Sequence, residues 1–82
     1  MEFHHFIKIR KDYAIMHLEH GKNFEIRLND RWYQVGDKVT FTVVDMDDNK
    51  TGEVYTRVVT FVFAQRHFGL APDYCIFSIS EE

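Results

Sequence analysis

Strict alternation of apolar and polar residues most restricts the fold of this chain. The run FEIRLN at residues 24–29 alternates at every position, and KVTFTV at 38–43 repeats the pattern. Successive side chains of a β-strand point to opposite faces, so these runs predict half-buried strands. We expect the apolar side chains of the first run to be buried: Phe24, Ile26 and Leu28. Its polar side chains should open onto a concave surface: Glu25, Arg27 and Asn29.

The other elements follow from similar patterns. Residues 2–10 and 53–63 predict a first and a fourth strand, and residues 74–80 predict a last strand with Cys75, Phe77 and Ile79 on one face. Asp12 is a suitable N-cap for a helix through His20, with Gly21 ending it and a packed stripe of Ala14, Ile15 and Leu18. The predicted fold class is mixed α+β, mainly β: a barrel of about five strands, with one helix between the first two strands, in a single domain over residues 1–82.

Length and composition support one folded domain. The chain has 82 residues, of which 45% are apolar and 16% aromatic, which is unlike a disordered segment. Cys75 is the only cysteine, so no internal disulfide can form and a buried, inert thiol in a reducing compartment is expected. The early stretch at residues 3–9 is broken by His4, His5 and Lys8, unlike a signal peptide or membrane helix. These features predict a cytoplasmic protein without a membrane partner.

Charge is unevenly distributed along the chain. The net charge of −3 argues against strong non-specific binding of nucleic acid. Residues 1–31 hold six basic and five acidic residues, whereas residues 32–82 hold four basic and eight acidic ones. An anionic ligand is therefore expected on the first part of the chain.

Four charged residues could act together as a ligand grip. If the first two strands pair around the helix, Lys8, Glu25 and Arg27 share one face, with Lys22 above it at the helix end. Arginine can bind a phosphate or a base edge through two hydrogen bonds, lysine adds a point charge, and glutamate can orient the arginine or accept from an exocyclic amine. The alternative is a surface ladder of ion pairs that contributes little.

The chain also resembles a known family. Residues 21–27, GKNFEIR, fit a GKxxExR signature, and the longer run to Asp37 is similar to GKKxFEIRKNDRxFxVGD in short bacterial and phage members of the PUA-like superfamily. A first strand of HxLKI type at residues 5–9 and an FGL at 68–70 extend the likeness over most of the chain. These features resemble the ASCH domain, named after a human transcription coactivator. The resemblance implies a PUA-like barrel and a cleft that binds RNA or a nucleotide-like ligand, weakly and in a salt-sensitive way, with no cofactor. The residues it implies for that cleft are Lys22, Glu25 and Arg27, joined by Lys8, Asn29, Asp30 and Arg31.

Two further functions stay open. ASCH relatives that deacylate acetylated cytidine carry a lysine followed three positions later by a threonine nucleophile, and a glutamate from a later strand. Here Lys22 matches, but Glu25 stands at the threonine position, so a hydrolase would need Glu25 to activate water. An amidohydrolase of modified nucleosides therefore remains an alternative to a binding module. A protein-interaction domain with a nonfunctional cleft is the third reading.

Histidines and loop aromatics complete the candidates. His17 and His20 have a spacing that suits zinc, but no third ligand lies at a recognisable distance, so no metal site is predicted. No nucleophile elbow or glycine-rich phosphate loop is present in the sequence. Among the loop aromatics we expect Tyr33 to be buried, while Trp32 and Phe68 could plug the barrel or stack on a base.

Overall fold

A computed structural model describes residues 2–64 and 70–82, and Phe68 lies outside them. The described part of the chain contains five strands and a helix, whose order along the chain is β1 His4–Arg10, α1 Lys11–Glu19, β2 Phe24–Leu28, β3 Lys38–Val44, β4 Lys50–Phe63 and β5 Tyr74–Glu81. The strands form a single curled sheet, a half-barrel. The mixed α+β, mainly β fold class is therefore confirmed, with the helix between the first two strands.

The sheet order corrects the expected pairing of the first two strands. The order is β1-β3-β4-β5-β2, so β1 and β2 are the two edge strands. β1 pairs in parallel with β3, and the register places Ile7 beside Phe41 and Ile9 beside Val43. All four side chains are buried, so this pairing joins two apolar stripes on the inner face, whereas the inward positions of β2 are polar.

The interior of the half-barrel holds the core. The buried apolar residues come from α1, the loop after β2, and every strand except β2; they are Ile7, Ile9, Ala14, Tyr33, Val39, Phe41, Val43, Val59, Cys75, Phe77 and Ile79. The predicted inward faces of β3 and β5 are thus confirmed, as are the buried thiol of Cys75 and the buried ring of Tyr33.

The orientation of β2 is the opposite of the predicted one. Phe24, Ile26 and Leu28 are 40%, 53% and 46% exposed, whereas Glu25 is only 5% exposed and Arg27 is half-buried. The register with β5 places Glu25 beside Phe77 and Arg27 beside Cys75, so the polar positions of β2 share the inner face. The alternation is correct, but the polar side chains face inward because other elements provide partners for their charges.

The helix is close to the predicted one, with two differences. It begins at Lys11 with Arg10 at the N-cap position, and no side chain caps it. Asp12 instead lies in the first turn and accepts a hydrogen bond from the Arg10 guanidinium at 2.7 Å. Ala14 is buried, but Leu18 is 39% exposed and the second buried residue of the helix is His17. The inward side of α1 is therefore partly polar.

Candidate functional site

A cleft lies at the seam between the two edge strands of the sheet. The guanidinium Nη2 of Arg27, on β2, donates to the backbone carbonyl of Lys8, on β1, at 2.9 Å. This contact crosses the seam where no backbone ladder joins β1 and β2. The cleft has a volume of about 480 Å³, and we call it the Glu25 cleft; its lining residues are Lys8, Ile9, Arg10, Tyr13, Lys22, Glu25, Ile26 and Arg27.

The buried carboxylate of Glu25 is the centre of this cleft. Its Oε1 lies 2.9 Å from His17 Nε2 and 3.5 Å from Lys22 Nζ. Its Oε2 accepts from Arg27 Nε at 2.9 Å. A buried carboxylate needs such partners, because unpaired burial of a charge is very costly. Three contacts use three of about four lone-pair sites, so one acceptor position has no donor among the residues that the structure describes.

His17 connects this carboxylate to the interior of the half-barrel. Its Nδ1 lies 2.7 Å from the hydroxyl of Tyr55, on β4, and its Nε2 also lies 3.2 Å from the Phe24 carbonyl. Since Glu25 Oε1 and the Phe24 carbonyl can only accept, we assign the proton to Nε2. The ring thus bonds the Glu25 carboxylate through Nε2 and the Tyr55 hydroxyl through Nδ1. The result is a continuous chain of hydrogen bonds from Tyr55 through His17 to Glu25.

The pKa values of these groups reflect their surroundings. Burial on its own would raise the pKa of Glu25, but hydrogen bonds from His17 and Arg27, together with their charges, lower it below its ordinary value of 4.5. Burial, followed by the charge of Glu25, raises the pKa of Tyr55 well above its ordinary value. Glu25 is therefore an anion and Tyr55 a protonated phenol at neutral pH.

The end of α1 positions Lys22. Gly21 has a φ of +71°, the left-handed conformation that favours glycine, and the Lys22 amide donates to the Met16 carbonyl at 3.0 Å. The chain reverses here, which brings the Lys22 ammonium within 5.3 Å of the ring centroids of both Tyr13 and Phe24. The side chain is 21% exposed, so its ammonium can meet a ligand in the cleft.

A second buried histidine–carboxylate pair lies away from this cleft. His5 Nε2 is 2.8 Å from Asp37 Oδ2, and Asp37 is fully buried. The two carboxylate oxygens also accept from the backbone amides of Phe3 and Gln34, both at 3.0 Å. Asp37 thus ties β1 to the loop before β3, and lines none of the clefts described here.

Comparison with protein families identifies a relationship across nearly the whole chain. The model of a domain of unknown function, DUF3850, matches residues 4–79. The chain belongs to the DUF3850 family. No match was found among the curated proteins.

The predicted site residues of this DUF3850 domain divide into two groups. Lys8, Lys22, Glu25 and Arg27 come together in the Glu25 cleft. The remaining three, Asn29, Asp30 and Arg31, follow β2 in the next loop. Asp30 and Arg31 line an adjoining central cleft of about 530 Å³, together with Lys8 and Arg27, among others. Asn29 and Asp30 line a third cleft of about 490 Å³ beside Trp32, which we call the Trp32 cleft.

Two functional candidates were missed by the sequence reasoning. His17 was considered only as a metal ligand, and Tyr55 was one residue of a β-rich run. The spacing of His17 three residues after Ala14 places both on one side of the helix, which could have indicated an inward histidine.

Over the described ranges, no group of three or more histidine, cysteine or acidic residues is arranged to hold a metal ion. No helix there is long and apolar enough to cross a membrane.

Proposed function

We propose that this domain binds a nucleotide or a short single-stranded RNA in the Glu25 cleft. The supporting observation is the fixed carboxylate of Glu25 among cations on a protein of net charge −3. Four cationic side chains and one carboxylate line this cleft: Lys8, Arg10, Lys22 and Arg27 against Glu25. The local excess of positive charge favours a phosphate-bearing ligand.

The chemistry of the lining fits the parts of a nucleotide. The vacant acceptor position on Glu25 suits the exocyclic amine of a base, as carboxylates accept from cytosine N4 in nucleic-acid recognition. The ring of Tyr13 is 45% exposed at the cleft and can stack on a base. Lys8 and Arg10 hold their ion pairs with Asp48 and Asp12 at exposed positions, and such pairs exchange readily for a phosphate because they contribute little.

The ASCH resemblance points in the same direction. Of its signature residues, Lys22 and Arg27 both contact the carboxylate of the third, Glu25. On this proposal, Glu25 and Arg27 read the base edge, whereas Lys22 and Lys8 neutralise phosphate. Binding should be weak and salt-sensitive, since few phosphates can be neutralised by so small a cluster.

Calorimetric titration with cytidine 5′-monophosphate tests this proposal. Lys22→Ala should weaken binding about tenfold or more, since charge-assisted hydrogen bonds contribute about 1.5–3 kcal/mol. Lys38→Ala is the matched control: it also removes one ammonium, but Lys38 pairs with Glu82 and lines none of the clefts described here. Equal affinities for wild type and Lys22→Ala, or no binding of cytidine monophosphate or short RNA to wild type, would reject the proposal.

Hydrolysis of an acylated nucleoside is the second candidate, favoured by the hydrogen-bonded chain from Tyr55 to Glu25. In this reaction Glu25 would take a proton from a water molecule as the water oxygen attacks the amide carbon. It would return that proton to the leaving amine as the C–N bond breaks, releasing acetate. Two observations weigh against it. Both ring nitrogens of His17 are already engaged, and the lowered pKa of Glu25 makes it a weak base at neutral pH.

Acetate release from acetylated cytidine separates catalysis from binding. We expect no release by the native protein. Glu25→Thr restores the hydroxyl of the deacylating relatives, and any activity gained should vanish when Lys22→Ala is added. Turnover by the native protein that is lost in Glu25→Gln would instead make Glu25 a catalytic base.

Protein interaction is the third candidate, because β2 presents apolar side chains outward. Phe24, Ile26 and Leu28 are each 40% or more exposed. Single exposed apolar residues are common, but three on one strand form a patch. This function would be favoured over the first if the protein self-associated in sedimentation experiments and bound no nucleotide.

A further inference from the structure

The loop after β2 carries an exposed tryptophan in an unfavourable conformation. Trp32 is 74% exposed and its φ is +51°, a left-handed conformation that bulky residues rarely adopt. Its neighbour Tyr33 is buried and packs on Phe77 with a centroid separation of 4.5 Å. The core therefore uses the second aromatic residue of the pair and leaves the first in solvent, and strain of this kind often marks a binding function.

Beside this ring lies an acceptor without a partner. Asn29 Oδ1 is shielded from solvent, yet it has no hydrogen bond among the described residues. The Asn29 backbone amide is held by the Asp73 carbonyl at 2.7 Å, which fixes the residue in the loop. Buried acceptors are nearly always paired, so the Asn29 amide would gain a partner by turning toward a ligand donor in the cleft that Asn29 lines.

The charges of the Trp32 cleft differ from those of the Glu25 cleft. The Trp32 cleft is lined by Leu28, Asn29, Asp30, Trp32, Pro72 and Asp73. Among the residues that the structure describes, that set has two carboxylates and no cation, so its charge would repel a phosphate. A neutral aromatic ring with N–H donors is the chemistry that fits an exposed indole, a free amide oxygen and two carboxylates.

The clefts share lining residues and follow β2. The central cleft shares Lys8, Ile26 and Arg27 with the Glu25 cleft, and shares Leu28 and Asp30 with the Trp32 cleft. A strand rises about 3.3 Å per residue, so the path from Glu25 to Leu28 covers about 10 Å before the loop begins. The three clefts therefore adjoin in a row along β2, which we call the groove; it has a cationic end, a middle containing Arg31, and an aromatic, acidic end.

We propose that Trp32 and Asn29 form a second base subsite, so that the groove binds a single strand of RNA several nucleotides long. This inference rests on the proposed function of the Glu25 cleft. It adds that the ligand is several nucleotides long and lies with its phosphates toward the cationic end of the groove. The backbone phosphates lie near the cations of the first two clefts. A neighbouring base stacks on Trp32 and donates an N–H to Asn29 Oδ1.

Tryptophan fluorescence provides a direct test, because Trp32 is the only tryptophan in the chain. Tricytidylate should quench the emission and shield it from acrylamide, whereas cytidine monophosphate should bind without quenching. The trinucleotide should also bind about tenfold tighter than the mononucleotide, the size of one base–aromatic stack.

Three variants assign that gain to the subsite. Trp32→Gly removes the ring and suits the positive φ, and it should abolish the tenfold gain while leaving the affinity for the mononucleotide unchanged. Trp32→Phe keeps a ring and should retain most of the gain. Asn29→Ala should weaken the trinucleotide about fivefold, without loss of stability from a broken hydrogen bond.

The outcomes separate this inference from the proposed function. If both ligands bind equally and the fluorescence is unchanged, the second subsite is rejected while the Glu25 cleft stands. The same holds if Trp32→Gly binds the trinucleotide as wild type does. If neither ligand binds to wild type, both proposals fail.

Discussion

The two buried histidine–carboxylate pairs show how similar side chains serve different purposes. His5–Asp37 and His17–Glu25 have nearly equal separations, 2.8 and 2.9 Å. Asp37 takes its other hydrogen bonds from backbone amides, which cannot move without the fold. Glu25 takes its others from the side chains of Lys22 and Arg27, which reach into a cleft.

This difference in partners separates a structural pair from a site. The oxygens of Asp37 are occupied by fixed donors, and the residue is fully buried. Two of the partners of Glu25, Lys22 and Arg27, have side chains that are 21% and 28% exposed, so they can exchange part of their hydrogen bonding with a ligand. A buried carboxylate with partners among side chains that line a cleft is a better functional candidate than one held by the backbone.

The largest effect is expected for Asp37→Asn. The amide has a donor where His5 or a backbone N–H also donates, so the free energy of unfolding should fall by about 3 kcal/mol, the cost of breaking a buried pair. Urea denaturation measures this. Asp47→Asn in the exposed β3–β4 hairpin is the control and should change stability by less than about 0.5 kcal/mol. A similar small effect for both variants would show that the Asp37 carboxylate does not stabilise the contact between β1 and the loop before β3.

Glu25→Gln should have a smaller effect on stability and a larger one on binding. The cations left behind can turn toward water, so the loss should be about 1–3 kcal/mol. The affinity for cytidine monophosphate should fall at least tenfold, as measured by calorimetry, because the acceptor and the orientation of Arg27 are both lost. Asp37→Asn, below its melting temperature, should bind with wild-type affinity. Equal loss of binding in Glu25→Gln and Asp37→Asn would contradict the distinction between a binding carboxylate and a structural one.

Acid should weaken both pairs. Burial opposes ionisation, but hydrogen bonds from His5 and the backbone amides lower the pKa of Asp37 below 3.8, and those from His17 and Arg27 lower the pKa of Glu25 below 4.5. Groups with a lowered folded-state pKa contribute stability above their unfolded-state values and lose it as the pH falls through the folded-state values. The unfolding free energy should therefore decrease as the pH falls below about 4.5.

The two substitutions provide the control for this pH dependence. Glu25→Gln and Asp37→Asn each remove one titrating group, so each should give a shallower decrease than wild type in urea denaturation at constant ionic strength. Curves with the same slope for all three proteins would contradict the assignment of acid sensitivity to these pairs.

The sequence predicted the elements better than their faces. Alternation located β2 and β3 to within one residue at each end, because a period of two is a local property of the backbone. The face that β2 turns inward was predicted wrongly, because the burial of Glu25 depends on His17 from α1. Burying a charge requires donors from distant parts of the chain, and a local pattern carries no information about them.

Prediction of the strand pairing and of the role of Tyr55 from the sequence met the same limit. The parallel pairing of β1 with β3 depends on matching buried stripes across the intervening α1 and β2. The cluster of Lys22, Glu25 and Arg27 was predictable because its members are close in sequence. Tyr55 was not, since it lies 38 residues from its partner His17 and nothing near it in sequence indicates a polar role.

The smallest effect on stability is expected for Lys8→Ala. The Lys8–Asp48 pair is 2.9 Å long but its side chains are 59% and 66% exposed, so its loss should change the unfolding free energy by less than about 0.5 kcal/mol. Lys8 lines both the Glu25 and central clefts, so the loss of one phosphate contact should reduce the salt slope of tricytidylate binding by about 0.7. Lys38→Ala, which breaks a similarly exposed pair with Glu82, should match its stability and keep the wild-type slope. Equal slopes for the two variants would mean that net charge governs binding, and that Lys8 at the seam between β1 and β2 makes no specific contact with a phosphate.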